Sequence, residues 1–201
     1  MQTIAEITSL HRQLCERWHA QGVDEVPDIA EASLPGVVAR QFRFNFLLWH
    51  EEDIARSRDV TDTRIAEVKR AIDKLNQSRN DWIEKTDDWI TEELARRGLV
   101  PQAEARQNTE TIGSSIDRLS ILCLRIYHLE EQLQRVDATP EHRENVARKL
   151  AIALAQMEDL SRSAQELLDD ILRGEKRHKT YRQLKMYNDP AMNPYLYKRN
   201  T

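Results

Sequence analysis

The stretch LWHEEDIAR places His50 three residues before Asp53, with Arg56 one turn further on. On a helix these side chains share a face. Glu84 and Asp87 repeat the spacing later in the chain. A His-x-x-Asp facing a Glu-x-x-Asp across an antiparallel helix pair offers mostly oxygen ligands, which suit Mg²⁺ or Mn²⁺. In that arrangement Asp53, Glu84 and Asp87 hold the ion, and His50, Asp53 and Glu84 supply acid–base catalysis for a metal-dependent hydrolase. The competing explanation is bland: with 34 acidic residues in the chain, spacings of three arise by chance, and Glu51, Glu52, Glu84 and Asp88 then only solvate outer helix faces.

A second constellation is cationic. Arg79 falls on a core-facing position of its helix, with Asn76, Asn80 and Lys69 on adjoining faces. Arg118 and Arg125 stand seven apart on the most apolar helix of the chain, and His128 follows one turn after Leu124. A buried arginine needs a carboxylate or a bound anion. Asp73 and Asp117 are the internal candidates, and a structural ion-pair network is then the outcome. If carboxylates are too few, Asn76, Arg79, Asn80, Arg118, Arg125 and His128 line an interhelical pocket for a small carboxylate- or phosphate-bearing metabolite. Taken singly, His50 and His128 are more often structural than ligating, Cys123 reads as a small core residue, and Trp49, Trp82 and Trp89 as core.

The elements that must position these residues are helices. Only five glycines and six prolines occur in 201 residues, and 32% of residues are charged, which favours helical surfaces laced with ion pairs over strands and turns. Apolar spacing predicts a first helix over residues 4–20 with Ile4, Ile7, Leu10, Leu14 and Trp18 on its stripe. Residues 21–36, with two prolines and two glycines, read as a connection. A second helix is expected from Val37 to Arg58, and a third, capped by Asp59, up to Arg97, where Gly98 stops it. Its length would be roughly 55 Å, enough to extend past its neighbours and offer a homodimer surface. A polar loop over 98–113 precedes a fourth helix capped by Ser114. Thr139-Pro140-Glu141 opens a fifth, whose seam of Val146, Leu150, Ala153, Met157, Leu160, Ala164, Leu167 and Ile171 has no polar intruder. The expectation is an all-α antiparallel bundle of about five helices with coiled-coil-like contacts over residues 1–174.

Residues 175–201 form an irregular tail. From Arg173 onward, eight Lys/Arg against Glu175 and Asp189 leave this end at +6, so the rest of a chain of net charge −4 carries −10. Basic residues interleaved with Tyr181, Tyr187, Tyr195 and Tyr197 could follow a nucleic acid strand, but the acidic body would repel a polyanion. A clamp folded over the bundle, its tyrosines covering the groove between helices, is the favoured expectation. No apolar run is long enough to cross a membrane. The start does not resemble a signal peptide, and two cysteines match no zinc spacing. A cytoplasmic protein with both thiols reduced is expected.

The strings FNFLLWHEEDIAR, IDKLNQSRNDWIE, SSIDRLSILCLRIYHLEEQL and QLKMYNDPAMNPYLY together resemble a bacterial family known as domain of unknown function 4254. They reach from the second helix to the tail and contain His50, Asp53, Arg56, Asn76, Arg79, Asn80, Glu84, Asp117, Arg118 and His128. The resemblance implies a bacterial protein whose tail belongs to the folded unit, and it brings no activity with it. The acidic pairs are also similar to those of helical nucleotide pyrophosphatases, which set Glu-x-x-Glu where this chain has His50 and Asp53. That likeness implies a phosphorylated or nucleotide substrate for the hydrolase alternative.

Overall fold

A computed structural model describes residues 1–23, 29–30, 32–184, 186 and 189–197. The fold is all-α. Five long helices, α1 (Ile4–Gln21), α2 (Leu34–Arg56), α3 (Asp62–Arg96), α4 (Ile112–Gln134) and α5 (Pro140–Leu172), precede a short α6 (Pro194–Tyr197). Among the described residues the strand content is one parallel pairing of β1 (Arg106–Gln107) with β2 (Lys176–Arg177), which ties the loop after α3 to the segment leaving α5.

Several helix starts lie elsewhere than the sequence suggests. Helix α2 begins at Leu34 because the Ser33 hydroxyl accepts from the Gly36 amide, which places Pro35 in the first turn. A missing N–H costs nothing there, so Pro35 and Gly36 open the helix and do not delay it. Thr61, not Asp59, caps α3. Thr111 caps α4, and the residue taken for its cap, Ser114, closes a reciprocal capping box with it. Thr139 and Pro140 open α5 as expected. Gly98 and Gly174 follow the ends of α3 and α5 at φ +66° and +74°, a backbone conformation that costs a side-chain-bearing residue dearly.

Two apolar clusters hold the helices together. At one end Ile4 and Ile7 of α1, Leu34 and Val38 of α2, Ile90 of α3, Ile116 and Leu119 of α4, and Leu167 and Ile171 of α5 share a core. Nearer the middle, Leu14, Cys15 and Trp18 of α1 pack with Phe42 and Phe46 of α2 and Cys123 and Leu124 of α4. The buried positions of α1 are Ile4, Ile7, His11, Leu14, Cys15 and Trp18; His11 takes the place expected of Leu10. Helix α5 runs along α4 on its apolar seam. The α2–α3 pair is antiparallel: the Trp89 indole donates to the Ala32 carbonyl at 2.7 Å at one end, and Leu48 meets Val68 and Ile72 at the other. This register decides which polar residues can meet.

Candidate functional site

Midway along the bundle a buried carboxylate gathers donors from two neighbouring helices. Asp117 of α4 accepts from Gln41 at 2.5 Å, from Asn45 at 2.8 Å and from the Arg79 Nε at 2.8 Å, and Arg79 Nη2 reaches its second oxygen. Asn45 also donates to Ser120 Oγ at 2.7 Å, and that hydroxyl donates to the Asp117 carbonyl at 2.7 Å. The bidentate carboxylate raises the Arg79 pKa further above its ordinary value, and the pair is satisfied to the degree a buried ion pair requires. Of the internal partners foreseen, Asp117 takes Arg79, whereas Asp73 pairs with Lys69 on the outside of α3.

Arg79 leaves this network at the wall of a groove of about 360 Å³ between α2, α3 and α4. Asn45, Trp49, Glu52, Asp53, Arg56 and Asn76 share its lining. Arg56 is paired with Glu52 at 2.9 Å in an exposed bridge on α2. Asp53 is exposed.

A second cluster lies where α1, α2 and α4 meet. One ring nitrogen each of His19, His50 and His128 lie within 4.8 Å of one another. His19 Nδ1 donates to the Cys15 carbonyl at 2.7 Å, and His128 Nδ1 pairs with Glu131 at 2.6 Å. The Nε2 atoms of His19 and His128 are buried without a hydrogen-bond partner. Tyr127 stacks on His19 at 4.0 Å, and Trp49 on His128 at 5.0 Å. Burial lowers the pKa of His19 and of His50, and the neighbouring imidazoles lower both further. Trp49 thus borders both the groove and the histidine cluster.

The oxygen-ligand arrangement of His50, Asp53, Glu84 and Asp87 is not brought together. In the α2–α3 register Asn45 and Arg79 meet on one carboxylate, so Glu84 and Asp87 lie beside the first half of α2, about 15 to 20 Å along the axis from His50 at 1.5 Å per residue. They have other tasks. Asp87 is buried and accepts from the Gly113 amide at 2.7 Å at the start of α4; burial raises its pKa, against hydrogen bonds from Thr111 and Gly113. Glu84 takes Arg182 at 3.1 Å and the Gln183 amide at 2.8 Å. Asp88 takes Arg182 at 2.8 Å and Thr180 at 3.1 Å, and His178 donates to the Asp87 carbonyl at 2.9 Å. Residues 178–183 therefore lie on the acidic face of α3. The described tyrosines of the tail do not cover a groove as expected, since Tyr181, Tyr195 and Tyr197 are exposed; Tyr187 lies outside the described residues.

Arg118 and Arg125 do not carry charge into the core. Both are exposed on α4 and line a separate groove of about 610 Å³ against α5 with Gln156, Asp159 and Ser163, away from Arg79. Their seven-residue spacing marks the solvent face of an otherwise apolar helix. Asn80 is half-buried on α3 and does not line the groove that Asn76 lines. Sequence reasoning missed His19, Gln41, Asn45 and Ser120. A signal existed for the first: His11, Cys15 and His19 recur every four residues beside the apolar stripe of α1.

Fold and site together define an all-α bundle protein with a polar interhelical groove and a histidine cluster next to it. The family model for a protein of unknown function, DUF4254, matches residues 36–180, and the chain belongs to that family. The match spans His50, His128 and the Asp117 network; His19 precedes it. No curated protein and no solved structure matches the chain. Among the described residues no helix is long and apolar enough to cross a membrane.

Proposed function

We propose that this protein binds a small carboxylate- or phosphate-bearing molecule in the groove between α2, α3 and α4. The observation that supports it is the state of Arg79. Two of its nitrogens are fixed on Asp117, which Gln41 and Asn45 hold in turn, and among the described residues Nη1 has no hydrogen-bond partner at the groove wall. A guanidinium locked in this way loses little freedom on meeting a ligand. Arg56 rests on Glu52 in an exposed bridge of small worth and can turn to the same anion, with Asn76 as a neutral donor. Glu52 and Asp53 suit hydroxyl or amino groups on the ligand, and Asp53, one turn from His50, is the group placed for acid–base work if the ligand is a substrate. A bacterial, cytoplasmic setting belongs to the same proposal.

The test is a thermal-shift screen of phosphorylated and carboxylated metabolites. A ligand at 100 times its Kd adds about 2.7 kcal/mol, roughly 5–10 °C for a chain of this size. Arg56→Gln and Asn76→Ala leave the Asp117 network intact and should abolish the shift. A shift of equal size in both variants would place the ligand elsewhere. A second reading, a helical scaffold whose buried charges are consumed internally, is favoured by the pairing of Arg79 with Asp117. It prevails if no metabolite raises the melting temperature.

A further inference from the structure

We propose that His19, His50 and His128 form a binding site for a divalent transition-metal ion of nitrogen-preferring type, Zn²⁺ foremost. The proposal stands apart from the ligand of the groove.

Three helices converge to make the site, and the tautomers of two rings are already set. A carbonyl can only accept, so His19 carries its proton on Nδ1, facing Cys15. The Glu131 carboxylate holds the His128 proton on Nδ1 in the same way. Each ring is left with a lone pair on Nε2, and both of these atoms are buried without a donor. An acceptor sealed from water and unpaired is costly. A metal-binding histidine shows this pattern: one nitrogen anchored to a carbonyl or carboxylate, the other presented to the ion.

The ring geometry agrees. The centroids lie 5.4 Å apart for His19 and His50, 5.0 Å for His19 and His128, and 5.9 Å for His50 and His128. The planes are inclined by 69°, 79° and 83°, so the three rings do not stack on one another. With Zn–N near 2.0 Å, imidazoles around a tetrahedral ion have centroids roughly 5 Å apart and nitrogens about 3.3 Å apart. One nitrogen of each ring lies within 4.8 Å of the other two, so the tripod needs only a modest contraction to reach that geometry. Stacking on Tyr127 and Trp49 limits other motion of His19 and His128. Burial lowers the pKa of both His19 and His50, which favours the neutral form a ligand must take.

The ligand atoms also select the ion. Three imidazoles without a coordinating carboxylate suit Zn²⁺, Co²⁺ or Ni²⁺ better than Mg²⁺ or Mn²⁺. Three protein ligands leave a fourth position for water or another small ligand.

The experiment uses the full chain freed of metal with a chelator, then titrated with Zn²⁺ and with Co²⁺. One ion per chain should remain after desalting, measured by elemental analysis, and Co²⁺ should give the intense visible absorption of a tetrahedral site. His19→Gln and His50→Gln should each weaken Zn²⁺ binding by at least about 100-fold, while circular dichroism verifies that they fold. Glu131→Gln spares all three ligands and should weaken binding about 10- to 100-fold. His142→Gln, in the first turn of α5 and outside the cluster, should leave Zn²⁺ binding unchanged. The proposal is overturned if the folded wild-type chain retains no Zn²⁺, or if His19→Gln binds as tightly as wild type. Chelation should leave any metabolite shift of the groove in place, so the two proposals fail independently.

Discussion

His11 offers the sharpest test of the packing. Its side chain is 0% exposed within the bundle, its ring lies 4.9 Å from that of Phe42, and neither ring nitrogen has a hydrogen-bond partner. Burial lowers its pKa from 6.5 to about 3. The unfolded chain therefore binds this proton from pH 6.5 downward while the folded chain refuses it. Stability is complete above pH 6.5 and falls as pH drops towards 3, with a slope of at most about 1.4 kcal/mol per pH unit. Between pH 6.5 and pH 5 this one residue costs about 1.6 kcal/mol. His11→Leu removes the titration, and at neutral pH it also removes an unpaired buried polar group worth about 1–3 kcal/mol. Urea unfolding of both proteins from pH 8 to pH 4.5 isolates the effect, because every other titrating group cancels in the difference. The variant should be more stable throughout, with the gap widening by about 1.6 kcal/mol between pH 6.5 and pH 5. A gap that stays flat with pH would mean that the folded protein protonates His11 as readily as the unfolded chain does, and the reasoning from burial would be wrong.

Three other outcomes can be checked. Asp117→Asn leaves Arg79 half-buried without its carboxylate and should destabilise by about 3–5 kcal/mol in urea unfolding; Arg79→Met added to it should recover part of that loss. Gly113→Ala sets helix propensity against sterics: alanine favours the helix by about 1 kcal/mol, yet a Cβ would lie 2.7 Å from the Ile83 carbonyl oxygen and 2.8 Å from Asp87 Oδ1. The clash should win by about 1–3 kcal/mol, and a stabilised variant would mean that α4 can move away from α3. Glu84→Gln with Asp88→Asn removes both carboxylate partners of Arg182, so trypsin should cut after Lys179 and Arg182 several-fold faster. Unchanged cleavage would show that these contacts do not hold the tail.

Much of the fold is legible because it depends on local rules. The seam of α5 and the stops at Gly98 and Gly174 follow from periodicity and backbone chemistry, and the structure keeps them. The starts of α2, α3 and α4 shift by a few residues because Ser33, Thr61 and Thr111 are equally good caps, and a choice between caps depends on what the first turn packs against. The stripe of α1 could have been read with His11 in place of Leu10: Ile4, Ile7, His11, Leu14 and Trp18 alternate by three and four. A polar residue on an apolar stripe is easily passed over in favour of the leucine beside it. The site was less legible, since it depends on inter-helix register. The sequence offers carboxylates on α2 and on α3, but only the pairing of Leu48 with Val68 and Ile72 shows that those of α3 lie at the wrong height. Arg118 and Arg125 misled for a different reason. On an apolar helix, two arginines seven apart mark the face that leaves the core, while Asp117, next to Arg118, turns inward.

The two polar clusters of the bundle differ in one respect that bears on function. Around Asp117 each carboxylate oxygen is met by donors, Ser120 is used twice, and the Gln41 Oε1 atom is the residual gap. A network so nearly closed chiefly fixes how α2, α3 and α4 align, and leaves one face of Arg79 to the groove. Around His50 the donors are spent on a carbonyl and a carboxylate while the acceptors are left over, an imbalance that internal packing does not remedy. Helix α1 supplies both His19 and the sealed His11, so proton and metal would act on it in opposite senses. Protonation of the histidines favours release of α1, and an ion bridging His19 to His50 and His128 favours its docking by the linkage of ligand to fold. Zn²⁺ should therefore raise the melting temperature at pH 7.5 and lose that effect at about pH 4, where protons compete with the ion for the ring nitrogens of the folded chain. An effect of equal size at both pH values would show that the ion binds through groups other than these imidazoles.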